Sequence, residues 1–132
     1  MAKNIVNTLL KIAESVPKVG CGRLAAAVVS KGRVVSFGVN SMKTHPIAKQ
    51  FNKYPYLHVE TEALIRASKV LDNREMSRSV LYVVRYKYSG SNKFPDMGMA
   101  KPCSGCMHCA VHFGVKKIVY STDDLQMQEI VL

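Results

Sequence analysis

Residues 99–115 read MAKPCSGCMHCAVHFGV, with three cysteines at three-residue intervals in an otherwise apolar stretch. The spacing predicts a helix over residues 103–114, stopped by Gly114. Cys103, Cys106 and Cys109 could then serve a disulfide framework, an iron–sulfur cluster, a zinc site or plain packing. The bacterial ferredoxin run carries a proline after its last cysteine. Here Pro102 precedes the first, and only Cys21 is left as a fourth thiol, which argues against a cluster.

Outward from this helix, two periodicities alternate. "SVLYVVRYKY" (79–88) upstream and "KKIVYS" (116–121) downstream are rich in β-branched and aromatic residues and read as strands. "SGSNKFPDMGMAK" (89–101) between them reads as a turn-rich loop. Helical spacing returns in "HVETEALIRASKVL" (58–71), which "DNREM" closes. "LAAAVVS" (24–30), the turn "KGR" and "VVSFGVN" (34–40) read as a hairpin of buried strands. Ile5, Val6, Leu9, Leu10, Ile12, Ala13 and Val16 predict a helix over residues 3–16, which "PKVGCG" stops. The order α-β-β-α-β-α-β is an α/β arrangement, a sheet flanked by helices. The last 11 residues, "TDDLQMQEIVL", are too few for a parallel crossover and its strand. A strand over Met127–Leu132 must therefore fold back antiparallel on "KKIVY"; a short terminal helix is the competing reading.

A length of 132 residues fits a single domain over 1–132 with a core of its own. Hydrophobic residues make up 48% and charged residues 21%, a globular rather than disordered or fibrous composition. No apolar run approaches a membrane span, and the amphipathic N-terminus lacks the core and cleavage site of a signal peptide. The chain reads as cytoplasmic, where four cysteines are thiols or thiolates rather than disulfides. A net charge of +10 favours anionic partners, phosphate-bearing small molecules or nucleic acid. The positive residues are spread along the chain, which weakens the nucleic-acid reading.

Two segments place metal-ligand residues at helix starts: "HVE" (58–60) and "PCSGC" (102–106). Pro102 suits a helix entrance, where its missing N–H would be unpaired anyway. The unpaired N–H groups and positive dipole end of that helix favour thiolate at Cys103 and Cys106. With His58 they make three protein ligands, which leaves a fourth tetrahedral position for water and points to catalysis; structural zinc sites close all four. Two thiolates neutralise a zinc ion, so its water is acidified less than by zinc on histidines alone. A carboxylate that takes the proton and returns it elsewhere supplies the missing help. Glu60, in the same first turn as His58, suits that shuttle better than a fourth ligand.

The combination of "HVE" and "PCSGC" on consecutive helices resembles the zinc-dependent cytidine/deoxycytidylate deaminase superfamily, over roughly residues 20–121. The resemblance implies a cytidine-deaminase-like three-layer αβα sandwich with a mixed central sheet. It implies Zn2+ held by His58, Cys103 and Cys106, with Glu60 as general acid/base. It also implies that water activated at the zinc attacks C4 of cytosine and that ammonia leaves. "GVN" resembles the family's substrate-binding asparagine, which implies that Asn40 contacts the sugar. "LAAAVV" resembles the strand whose small residues let a pyrimidine lie against the backbone, here Ala25 and Ala26. Val59 stands where alanine is usual. His58 as first ligand resembles the deoxycytidylate and nucleic-acid branches, whereas the antiparallel end expected of the short tail is associated with the cytidine branch. Deoxycytidylate is the best single substrate on this reading; cytosine within single-stranded nucleic acid is the alternative, and a non-catalytic zinc module the third. The family also implies a homo-oligomer.

The remaining residues have plainer readings. Cys109 has drifted round the helix and reads as packing, unless a closed zinc knot takes it or His108 as fourth ligand. Cys21 reads as packing or a loop thiol, and His108 and His112 as an exposed face. Glu62 reads as a helical ion pair with Arg66, with orientation of His58 as its sharper role. Loop 41–57 interleaves Lys43, His45, Lys49 and Lys53 with Phe51, Tyr54 and Tyr56, which fits a phosphate or stacked base as well as self-solvation. Lys43 and His45 are the substrate-contact candidates there, with Arg23 and Lys101 as weaker phosphate candidates.

Overall fold

Lys31 and Gly32, with φ of 53° and 75°, form the two-residue turn between strand β1 (Arg23–Ser30) and strand β2 (Arg33–Val39). Positive φ at both positions is the I′ geometry, whose twist matches that of paired strands, and glycine adopts it without strain. The computed structural model describes residues 2–15, 23–39, 58–87, 96–123 and 126–132. In chain order the further elements are α1 (Ala2–Ser15), which precedes the hairpin, then α2 (Val59–Ser68), α3 (Asn73–Met76) and β3 (Val80–Lys87). β4 (Asp96–Gly98), α4 (Ser104–Phe113), β5 (Lys117–Ser121) and β6 (Met127–Val131) complete the set.

The sheet order is β2-β1-β3-β5-β6, with β4 paired to β3 off that path. β1 is antiparallel to both β2 and β3, and β3 runs parallel to β5. β6 pairs antiparallel with β5, from Lys117↔Val131 to Ser121↔Met127, as the shortness of the tail requires. The sheet is therefore mixed.

Strand alternation sorts the core into two layers. Ala25, Ala27 and Val84 pack with Ile5, Leu9, Leu10 and Ala13 of α1. Ala26, Val28, Leu81 and Val83 pack on the opposite face with Val59, Ala63 and Leu64 of α2 and with Cys109 and Ala110 of α4. Helix, sheet and helix pair make the three-layer αβα sandwich. Leu64, Leu81 and Ile118 are fully buried, and each such side chain contributes about 1.5–3 kcal/mol over its exposed state.

Three local differences from the sequence expectation have physical causes. The segment after α2 forms its own short helix, because the Asp72 side chain accepts from the Glu75 amide while the Glu75 side chain accepts from the Asp72 amide. Strand β4 lies inside the expected loop, its Met97 and Gly98 opposite Tyr86 and Arg85 of β3. Pro102 stands outside its helix: Cys103 is the N-cap, with extended φ −68° and ψ 168°, and Ser104 is the first helical residue. No helix among the described residues is long and apolar enough to cross a membrane.

Candidate metal centre

Two helix starts meet here. His58 is the N-cap of α2, extended at φ −69° and ψ 151°, and Cys103 is the N-cap of α4. Neither side chain caps its own helix, so each is available to the space between the two N-termini. Cys106 joins them from the first turn of α4 and is buried. The one nitrogen and two sulfurs lie within 4.8 Å of one another. His58 Nδ1 is 3.2 Å from Cys106 Sγ and 3.7 Å from Cys103 Sγ. A tetrahedral zinc with ordinary bonds to sulfur and nitrogen sets its ligand atoms about 3.5 Å apart. Two soft sulfurs and an imidazole are also the donor set zinc prefers. The residues fit the ion.

Cys103 is held down to about 3 by hydrogen bonds donated to it from Cys106 and His58, and is a thiolate at neutral pH. The same bonds act oppositely on the donors. Cys106 is pushed far above the usual thiol range, first by its bond to Cys103 and then by burial. His58 is raised by its bond to Cys103, which outweighs its partial burial. Without a metal the two sulfurs therefore differ. Cys103 holds the negative charge and Cys106 keeps its proton, because Cys106 donates the hydrogen bond between them and its burial adds to the difference.

Glu60 is buried in the first turn of α2, and burial raises its carboxyl above the ordinary range. It is hydrogen-bonded to Cys106, which places its carboxyl beside the ligands and outside the group of three donor atoms. Cys109 is fully buried in the core on the sheet-facing side of α4, with Thr61 as hydrogen-bond partner, and burial pushes its thiol up to about 11. It lies outside the ligand group, as does His108, which is exposed. Among the described residues no fourth side chain joins that group. His112 is exposed and makes an edge contact with Phe113.

Other candidates divide by position. Ala26 is fully buried on the sheet face that carries α2 and α4, whereas Ala25 faces α1 on the other side. Arg23 shares the face of Ala25 by strand alternation, and Lys101 is exposed. Asn40, Lys43, His45 and the rest of loop 41–57 lie outside the described residues, as does Cys21. Glu62 pairs with Arg66 at 3.6 Å as its spacing predicts, and its Oε1 also accepts from the Val39 amide at 3.3 Å. That bond ties α2 to the end of β2, one residue before Asn40. Thr61 was not legible as a site neighbour; it is buried, with Oγ1 at 3.9 Å from Cys106 Sγ.

The family model described as the cytidine and deoxycytidylate deaminase zinc-binding region matches residues 2–122. No curated protein matches in sequence. Among solved structures, the chain is similar to the apo dCMP deaminase of cyanophage S-TIM5, at 24% identity, 92% coverage of this chain, 86% of that one and TM-score 0.57. The same phage enzyme in complex with dCMP and dUMP gives 19% identity, 92% and 80% coverage and TM-score 0.61. RibD of Acinetobacter baumannii gives 17% identity and TM-score 0.53, over 89% of this chain but 26% of that one. At these identities the likeness is one of fold.

Proposed function

This chain belongs to the cytidine and deoxycytidylate deaminase zinc-binding family, and we propose that it hydrolyses the amino group of cytosine in a free nucleotide, with deoxycytidylate as substrate and deoxyuridylate as product. The observation that carries the reading is the convergence of His58, Cys103 and Cys106 beside the buried Glu60. The reaction consumes one water, forms a C4–O bond, breaks the C4–N4 bond and releases ammonia. His58, Cys103 and Cys106 would hold a zinc ion, which would supply the Lewis acidity that makes water a nucleophile at neutral pH.

The chain's own residues do the rest. Glu60, as carboxylate, takes a proton from the attacking water and gives it to N3 of the pyrimidine. It then carries the second proton to the departing amino group. A carboxyl whose pKa is raised by burial exchanges protons near neutral pH better than an ordinary one. Ala26, small and buried on the sheet face that carries α2 and α4, is the residue against which the pyrimidine would lie. Asn40 contacts the sugar, and Lys43 and His45 contact the phosphate.

The net charge of +10 favours one second reading, deamination of cytosine within single-stranded nucleic acid. Zinc-loaded protein is incubated separately with deoxycytidylate, deoxycytidine, cytidine and a cytosine-containing DNA strand, and uracil formation is followed. Turnover of deoxycytidylate with the highest kcat/KM supports the first reading. Turnover of the strand alone, with steep loss on adding salt, supports the second.

A further inference from the structure

Strands β3 and β5 pair from Val80↔Lys117 to Val83↔Tyr120, and there the parallel ladder stops. β1 covers the other flank of β3, so β4, paired to Arg85–Lys87, continues on the flank that β5 has left. Ser121, the last residue of β5, stands at this three-way junction and is fully buried. Its Oγ accepts from the Arg85 amide of β3 at 3.1 Å and donates to the Gly98 carbonyl of β4 at 2.7 Å. Its own carbonyl accepts from the Ala100 amide at 2.9 Å. Two residues on, Asp123 Oδ1 accepts from the Met99 amide at 3.1 Å. Residues 98–100 are thus held at each position by the end of β5, and the chain runs from there through buried Pro102 into Cys103.

We propose that Ser121 is a positioning residue for the metal centre, setting where Cys103 and Cys106 stand relative to His58 by anchoring the segment that leads into them. The span from Ala100 to Cys103 is three residues, and buried Ala100 and Pro102 leave little slack to absorb a shift. Asp123 supports the same anchor from the surface. Groups that hold metal ligands in place characteristically alter affinity by about 10–100-fold when removed. The proposal rests on the reading of His58, Cys103 and Cys106 as ligands, and its test separates the two.

Cobalt(II) is titrated into metal-free protein and followed by its visible absorption, which reports thiolate ligation and tetrahedral geometry. Ser121→Ala is expected to bind cobalt at least about tenfold more weakly, with altered band positions or intensities. Ser121→Thr, which keeps the hydroxyl, is expected to recover the wild-type spectrum. Ile118→Val, buried on the same strand, is expected to lower Tm and leave spectrum and affinity unchanged. If Ser121→Ala does not fold, Asp123→Ala must show the weakened binding instead. Wild-type affinity and spectrum in the folded Ser121→Ala protein, or in Asp123→Ala where that substitutes for it, would overturn the proposal, as would an equal change in Ile118→Val. A wild type that binds no cobalt would overturn the ligand reading and this one with it.

Discussion

Gly38 of β2 lies so close under α2 that a β-carbon there would overlap the Val59 carbonyl and stand 3.0 Å from the Ala63 amide nitrogen. Ser36, two residues earlier on the same face, donates to the Ala63 carbonyl at 2.7 Å. Together they seat the helix that presents His58 and Glu60. Gly38→Ala must push α2 off the strand, and overpacking of this kind costs about 1–3 kcal/mol. A lowered Tm together with reduced zinc content at fixed free zinc is expected. Full stability with full zinc would show that the helix has room to move.

Cys103 should behave as a preformed thiolate in the metal-free protein. A thiol of ordinary pKa reacts with iodoacetamide about tenfold more slowly for each pH unit below its pKa. With Cys103 held at about 3, its alkylation rate should stay flat from pH 8 to pH 5, while buried Cys106 and Cys109 are unlabelled. Zinc should protect it. Peptide mapping by mass spectrometry reads these three thiols apart from Cys21, and a Cys103 rate that falls steadily through this range would refute the assignment.

Zinc loading should release protons. Cys106 and part of the His58 population carry protons at pH 7, because both are raised, whereas Cys103 does not. Both raised groups must lose their protons to bind, so apparent affinity rises with pH, by about tenfold per unit for each proton displaced. Calorimetry in two buffers of different ionisation enthalpy should give at least one proton per zinc. A value of zero would mean that Cys106 is not a ligand or is already ionised.

Packing and ligation are separated by Cys109 of α4 and Cys103 at its N-cap. Cys109→Ala removes a small buried side chain, costs about 1 kcal/mol and should leave zinc stoichiometry at one. Cys103→Ala should abolish stoichiometric zinc with little loss of metal-free stability, since Cys103 is exposed. Loss of stoichiometric zinc in both variants would make the site a closed structural knot with Cys109 as its fourth ligand.

Much of this was legible from residue type and spacing. The apolar periods of residues 3–16 and 79–88 showed α1 and β3, and the short tail required any terminal strand to be antiparallel while leaving a terminal helix open. The meeting of His58, Cys103 and Cys106 was readable because ligand types stand at two helix starts. What escaped was set by tertiary contact. β4 is three residues long and includes Asp96 and Gly98, poor strand formers with no period to read. The unequal protonation of Cys103 and Cys106 comes first from the hydrogen bond between them and then from the burial of Cys106, which their spacing does not show. Ser121 ends an ordinary strand in sequence, and only the meeting of β3, β4 and β5 makes its hydroxyl a junction.

The most direct measurement compares zinc-loaded wild type with Glu60→Gln, following uracil formation from deoxycytidylate alongside bound zinc. Glutamine keeps the shape of the buried side chain and removes its capacity to accept and return a proton. Zinc stoichiometry should be unchanged, and kcat should fall by about 10²–10⁴. A Glu60→Gln protein that holds its zinc and turns over at the wild-type rate would contradict the assignment of Glu60 as the proton carrier.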